Sequence, residues 1–409
     1  MNNNIRWIFL AFGSLTLLLG GIIYSWSILK SPLAEEFGWN PTQLAFNFTV
    51  TICCFAVGGL ISGFLAKRFS PKPRLFVSAV LVFAGFFLAS RVSAESIWLL
   101  YLAYGVFGGI GIGVLYNTTI ATIGEWFPDR KGLSSGIMLM CFGFSTLIFG
   151  GLAGSLIANQ EFGWRSTYVL LGTVMAAVVF VFGLVVRRPR QGEINAKPTE
   201  KRIKSAGAAT SAPIQGSRDM NSGEMLRRLT FWKIFIALTL LASIGNVAIS
   251  FAKDFAVFMG TEETLAIAIV GILSVCNGLA RISAGAIYDR VSLPATQWFI
   301  AISVIIAPVA GIMAIITGAG ILGIIALLLC GFSYGLCPTT SAVYPKLFFG
   351  EKNYALNFSI TNLTLIPTSF VATLAGAILT ATGSYMPVFV MLLAFAAIGS
   401  AFLLSTRKA

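Results

Sequence analysis

Long apolar runs separated by short polar breaks repeat along the whole chain. Twelve such runs fall at about 7–29, 43–66, 74–91, 97–123, 132–157, 166–186, 231–252, 264–288, 296–317, 320–344, 354–381 and 385–404. Each covers the ~20 residues that a helix needs to cross ~30 Å of hydrocarbon. In lipid only helices or closed barrels satisfy their own backbone, and unbroken runs of this length predict helices. The first run is too long for a signal-peptide core and has no small-residue cleavage site, so it is expected to be retained as a helix. The longest polar stretch, from Arg187 to Arg228, is rich in Lys, Arg, Ala, Ser, Gly and Pro. It predicts a flexible linker between two six-helix halves. The expected organisation is an N-terminal bundle over 1–187, a cytoplasmic linker over 188–230 and a C-terminal bundle over 231–409. Asn221 with Glu224 three residues on predicts a helix cap, and so a short interfacial helix ahead of the seventh run.

Composition supports the membrane reading. Of 409 residues, 57% are hydrophobic and 11% charged, against about 25% charged in a soluble domain. A water-soluble enzyme, a disordered chain and a disulfide-rich secreted scaffold are excluded. The six cysteines lie inside apolar runs without metal-ligand spacing, and histidine is absent. Cysteine is therefore expected as a small buried hydrophobe, and no metal or cofactor is expected.

The net charge of +13 could mark a nucleic-acid binder, but the cations sort by side. With both termini inside, twenty-three Lys and Arg fall in inside segments. Four fall outside: Lys30, Arg91, Arg165 and Lys253. That is the positive-inside pattern. It predicts a multi-pass protein of the cell inner membrane with cytoplasmic termini, partnered by lipid and not by nucleic acid, and expected to be a monomer. One cation, Arg281, remains inside a predicted span.

The halves resemble each other at a constant offset of 222 residues. Gly63-Phe-Leu-Ala-Lys-Arg68-Phe-Ser70 matches Gly285-Ala-Ile-Tyr-Asp-Arg290-Val-Ser292. Gly109, Gly113 and Thr118 match Gly331, Gly335 and Thr340, and Phe127, Asp129 and Arg130 match Phe349, Glu351 and Lys352. A parallel repeat of this kind is the architecture of transporters whose halves rock around a midplane site.

Twelve spans, a central linker and paired Gly-x-x-x-[Asp]-Arg loops resemble the major facilitator superfamily. The resemblance implies its all-α fold of two pseudo-symmetric six-helix bundles, with gating roles for Arg68, Asp289 and Arg290. The first loop departs from the pattern, with Lys67 at the usual Asp and Ser70 at the usual Gly. Tyr24-Ser-Trp-Ser27, Tyr116-Asn-Thr, Trp126-Phe-Pro-Asp-Arg-Lys-Gly and Asn221-Ser-Gly-Glu-Met-Leu226 resemble the oxalate/formate antiporter and monocarboxylate transporter group. Asn277-x-x-x-Arg281 falls where that group keeps an arginine in its eighth helix.

Arg281 is eight residues before Asp289, about 12 Å along a helix. An ionised residue at that depth costs at least ~2.5–3.5 kcal/mol and usually marks a substrate path. Its planar fork matches a carboxylate and does not deprotonate. Asn277, four residues earlier on the same face, can add a neutral hydrogen bond. One embedded cation balances one negative charge. The resemblance implies that oxalate exchangers carry a lysine in the eleventh helix, where this chain has Thr361 and no lysine throughout 354–381. A small monocarboxylate of the lactate, pyruvate or acetate class fits better than a dicarboxylate. Tyr116 and Tyr334 are candidate hydrogen-bond donors, and Ile28, Phe332 and Phe358 a candidate apolar wall.

The group implies proton symport, yet its usual helix 1 lysine and helix 8 aspartate positions hold Ile28 and Asn277. Asp254 is the nearest remaining carboxylate and the coupling candidate, with exchange without a proton as the alternative. An enzyme would need a nucleophile, acid/base pair or phosphate loop, and none is present. A sensor would need a signalling domain longer than the linker. A drug exporter would favour an apolar cavity or an embedded acid over an embedded arginine.

Overall fold

The computed structural model describes residues 4–66, 68–127, 131–189, 193, 219–290, 292–350 and 353–406. Among these residues every regular element is helical. Twelve helices are long and apolar enough to span a membrane. They are α1 (Ile5–Phe37), α2 (Pro41–Leu65), α3 (Pro71–Ala89), α4 (Ile97–Trp126), α5 (Ile137–Ala158) and α6 (Gly163–Val185), then α7 (Leu229–Phe258) and α8 (Glu263–Arg290). α9 (Leu293–Thr317) and α10 (Gly320–Phe349) follow. α11 runs from Tyr354–Thr361 through a 3-10 turn into Leu365–Thr382, and α12 is Met386–Ser405. Contacts group the chain into two compact units, Met1–Glu200 and Lys201–Ala409.

Two helices run well past their apolar segments. α1 continues to Phe37 and carries Lys30, Glu35 and Glu36, while α7 continues to Phe258 and carries Lys253 and Asp254. Lys30 and Lys253, which the charge pattern assigns to the outer side, thus stand within the helices and not beyond them. Both lie inside helices, 3% and 5% exposed, so Arg281 is not the one embedded cation. The physical reason is that a helix does not end where its apolar run ends. Its long cationic side chains can lay their stems against neighbouring apolar surface. The two lysines sit at the same end of the first helix of each unit, one residue out of the 222-residue register.

In the first unit α4 lies against α2 with almost no side-chain spacer. A Cβ on Gly109 would come within 2.6 Å of the Thr51 carbonyl oxygen, and one on Gly113 would overlap that of Phe55. In the second unit α10 meets α8 in the same way. A Cβ on Gly331 would come within 2.7 Å of the Leu273 carbonyl oxygen, and one on Gly335 would overlap that of Asn277. The repeated glycines therefore do the same work in both halves, letting two backbones touch where lipid offers no hydrophobic drive to bring helices together.

α1 is interrupted by a 3-10 turn over Gly21–Ser25 that presses on α5, where Gly21 leaves room for the Phe142 carbonyl. Facing it, α5 widens into a π turn at Thr146–Gly150. The end of α1 is held by Tyr168, whose hydroxyl donates to the Leu29 carbonyl at 3.0 Å. Glu36 completes the tie, accepting from the Trp164 indole at 2.6 Å and pairing with Arg165 at 2.8 Å.

The linker's far end forms the expected short helix, Ser222–Leu226. Its cap is reciprocal: Glu224 N–H donates to the Asn221 side chain at 2.9 Å, and Asn221 N–H to the Glu224 carboxylate at 2.8 Å. Asn357 on α11 docks it, accepting from Ser222 at 2.8 Å and donating to the Met220 carbonyl at 3.2 Å. Most of the linker, Lys67, Asp129 and Arg130 lie outside the described residues.

Gly335→Ala should lower the unfolding temperature of the purified protein by several degrees, because overpacking of this kind costs about 1–3 kcal/mol. Gly63→Ala is the control. It belongs to the same kind of apolar helix but has open space at its Cβ, and its melting curve should not move.

Candidate functional site

Arg281 lies within α8, about 27 Å from the helix start and about 14 Å from its end by helical rise. It is partly exposed. Asn277, one turn earlier, is 1% exposed, and its side-chain oxygen has no hydrogen-bond partner within the protein. The level of this pair in the unit is set by glycine contacts. Gly335 of α10 sits on the Asn277 carbonyl, and the neighbouring Tyr334 packs its Cβ against Gly245 of α7. Pro338 has no N–H to give the Tyr334 carbonyl one turn back, which loosens α10 at this height.

Next to Gly245 stands Asn246, 1% exposed, with neither amide atom hydrogen-bonded within the protein. The second unit therefore brings Asn246, Asn277 and Tyr334 to one level, with Arg281 a turn away. Asn246 was not among the sequence candidates. Its signal was available: an amide inside an apolar run, four residues before Ser250, in a setting where intramembrane polar residues are costly and usually functional. Together these groups offer one fixed positive fork, two neutral amides and a phenol. That set can neutralise one carboxylate and hydrogen-bond the atoms next to it. Among the described residues no group of three His, Cys, Asp or Glu could hold a metal ion.

The other candidates distribute as follows. Thr361 donates its hydroxyl to the Asn357 carbonyl at 2.9 Å, so it serves its own helix. Phe332 packs edge-on to Phe299 of α9, ring centroids 6.1 Å apart. Phe358 is partly exposed on α11. Asp254 lies near Tyr385, where burial and then the Asp254 carboxylate raise the phenol well above its ordinary pKa. In the first unit, Tyr116 sits edge-on to Phe55 at 5.3 Å and Phe142 at 5.1 Å. Ile28 is buried beside Gly150, so both residues back onto α5.

Of the gating residues, Arg68 is exposed in the turn after α2. The side chains of Asp289 and Arg290 lie outside the described residues. The arginine that ties this turn together is Arg74, 4% exposed, which donates to the Ser62 carbonyl and hydroxyl at 3.2 Å and to the Ser70 carbonyl at 3.3 Å. Ser62 in turn hydrogen-bonds Thr118 of α4 at 2.8 Å.

The sequence profile of the Major Facilitator Superfamily matches residues 8–366. The chain belongs to this superfamily. Among its relatives is the oxalate:formate antiporter of Oxalobacter formigenes, 26% identical over 85% of this chain and 80% of that protein. Monocarboxylate transporter 13 of Bos taurus is 23% identical over 95% of this chain and 86% of that protein. The crystal structure of a D-xylose-proton symporter shares the fold, with a TM-score of 0.73 at 16% identity and 97% of each chain covered. The superfamily member described here is thus a multi-pass membrane transporter with relatives of antiporter and monocarboxylate type, and its family and fold indicate transport rather than catalysis.

Arg74→Met should lower the unfolding temperature of this transporter by about 2 °C or more, since it strips the bonds from a buried backbone carbonyl. Arg68→Gln should leave the melting curve unchanged.

Proposed function

We propose that this transporter carries small monocarboxylates of the lactate, pyruvate and acetate class in symport with a proton. The substrate carboxylate is bound by the Arg281 guanidinium. Asn277 and Tyr334 supply neutral hydrogen bonds beside it. The orientation that fits the cation distribution puts both termini in the cytoplasm and the protein in the cell inner membrane, acting as a monomer.

One observation carries this reading. A guanidinium stands about 14 Å inside α8, one turn from a buried amide whose oxygen has no protein partner. A permanently charged fork held there has a use if an anion arrives to meet it. Two charge-assisted hydrogen bonds from one fork are worth about 3–6 kcal/mol. A dicarboxylate would call for a second cation at that depth. At the α11 position where the resemblance implies a lysine for oxalate exchangers, this chain has Thr361. Asp254, near Tyr385, is the carboxylate assigned to the proton.

The relative that exchanges oxalate for formate supports a second reading, anion exchange without a proton. Proteoliposomes separate the two. Arg281→Ala and Arg281→Lys should each cut labelled lactate or pyruvate uptake by at least about 100-fold while the protein elutes and melts as wild type. Full uptake by Arg281→Ala would overturn the site. An inward proton gradient should accelerate uptake by wild type and not by Asp254→Asn. Flux that ignores the gradient but rises with internal unlabelled substrate would establish exchange instead.

A further inference from the structure

α7 is apolar for most of its length, and polar residues of its second half fall on one stripe. Asn246, Ser250 and Lys253 are spaced by four and three residues, so they share a helix face. They climb about 10 Å toward the end opposite the basic loops. All three are buried. A serine inside such a helix normally returns its hydroxyl to the carbonyl four residues back, as Ser243 does to Thr239 at 2.7 Å. Ser250 does not, and its hydroxyl has no hydrogen-bond partner within the protein. Nor do the amide atoms of Asn246. Burying a polar group without a hydrogen-bond partner is costly. Two such groups a turn apart on one face call for a polar visitor.

Lys253 closes the stripe. Its ammonium is paired with Glu263 in the first turn of α8. The pair is lopsided: the lysine side chain is 7% exposed and the glutamate 64%. The cation faces the protein interior and its partner faces out. Asp254 flanks the stripe and acts electrostatically on Tyr385, and the exposed Glu262 directly precedes α8. At the lower end, Asn246 adjoins Gly245, where Tyr334 packs, at the level of Asn277.

We propose that Lys253, Ser250 and Asn246 form a loading site for the transported anion, separate from Arg281. This rests on the anion-transport reading above. The Lys253 ammonium receives the incoming carboxylate as Glu263 swings into water. Ser250 and Asn246 then carry it by hydrogen bonds down the helix face toward the level of Asn277. An ammonium suits this task better than a guanidinium, because a compact, flexible point charge attracts an anion without a bidentate grip that would hold it. A cation near a rim acts chiefly on association and its salt dependence.

The test is uptake of labelled lactate into proteoliposomes of known orientation, measured from each face. From the face bearing Lys253, Lys253→Gln should raise KM about tenfold and flatten its dependence on ionic strength. KM from the other face and kcat should stay as in wild type. Lys253→Arg should restore the salt dependence, and Glu263→Gln should lower KM from that face only. The double variant Lys253→Gln/Glu263→Gln removes both members of the pair together, so it guards against misfolding caused by breaking the pair; it should behave as Lys253→Gln. Equal shifts at both faces, or no shift at either, would overturn the loading site and leave the role of Arg281 intact. No lactate or pyruvate flux from wild type would remove both.

Discussion

The contact between Gly335 and the Asn277 carbonyl sets the geometry of the second half. With no side chain on Gly335, the backbones of α8 and α10 touch. That touch fixes the height of Asn277 against Tyr334, and a turn further along the same helix it fixes the height of Arg281. A methyl group at this point would separate the helices and move a charge relative to every neutral group that can help it. Helices in lipid gain nothing from hiding apolar surface, so close backbone approach is the means of fixing such distances. The first half repeats the device at Gly113 and the Phe55 carbonyl.

Charge follows the same economy. Most cations stand in the basic loops and report orientation. Three that stand well inside helices occupy particular heights: Arg281 deep in α8, Lys253 near the far end of α7, Lys30 in the matching helix of the other half. Lys253 is joined to a mostly exposed glutamate. On the reading proposed above, a mobile ammonium near one end attracts the anion, an amide and a hydroxyl offer it bonds along α7, and a rigid fork holds it.

Twelve spans, the repeat and the capped helix at Asn221 were legible in the sequence, because each rests on local composition or spacing. The position of Arg281 within a long apolar helix was legible because a charge inside an apolar run needs no tertiary knowledge to notice. What was not legible depended on where helices stop. Lys30 and Lys253 stand beyond the apolar runs, and only the structure shows that α1 and α7 continue through them. Asn246 stands out only in the structure, where it is buried with neither amide atom hydrogen-bonded within the protein. The family pattern pointed to Arg68, while the buried hydrogen bonds belong to Arg74, six residues on. Thr361, expected beside the substrate, turns its hydroxyl to the Asn357 carbonyl of its own helix.

The central claim is that Arg281 binds a single carboxylate, and equilibrium binding tests it without assumptions about coupling. Isothermal titration of the purified protein with pyruvate or lactate should give saturable one-to-one binding. The same titration of Arg281→Ala should show affinity weakened by about 100-fold or more, with an unchanged melting curve in the absence of ligand. Wild-type affinity in Arg281→Ala would contradict the account.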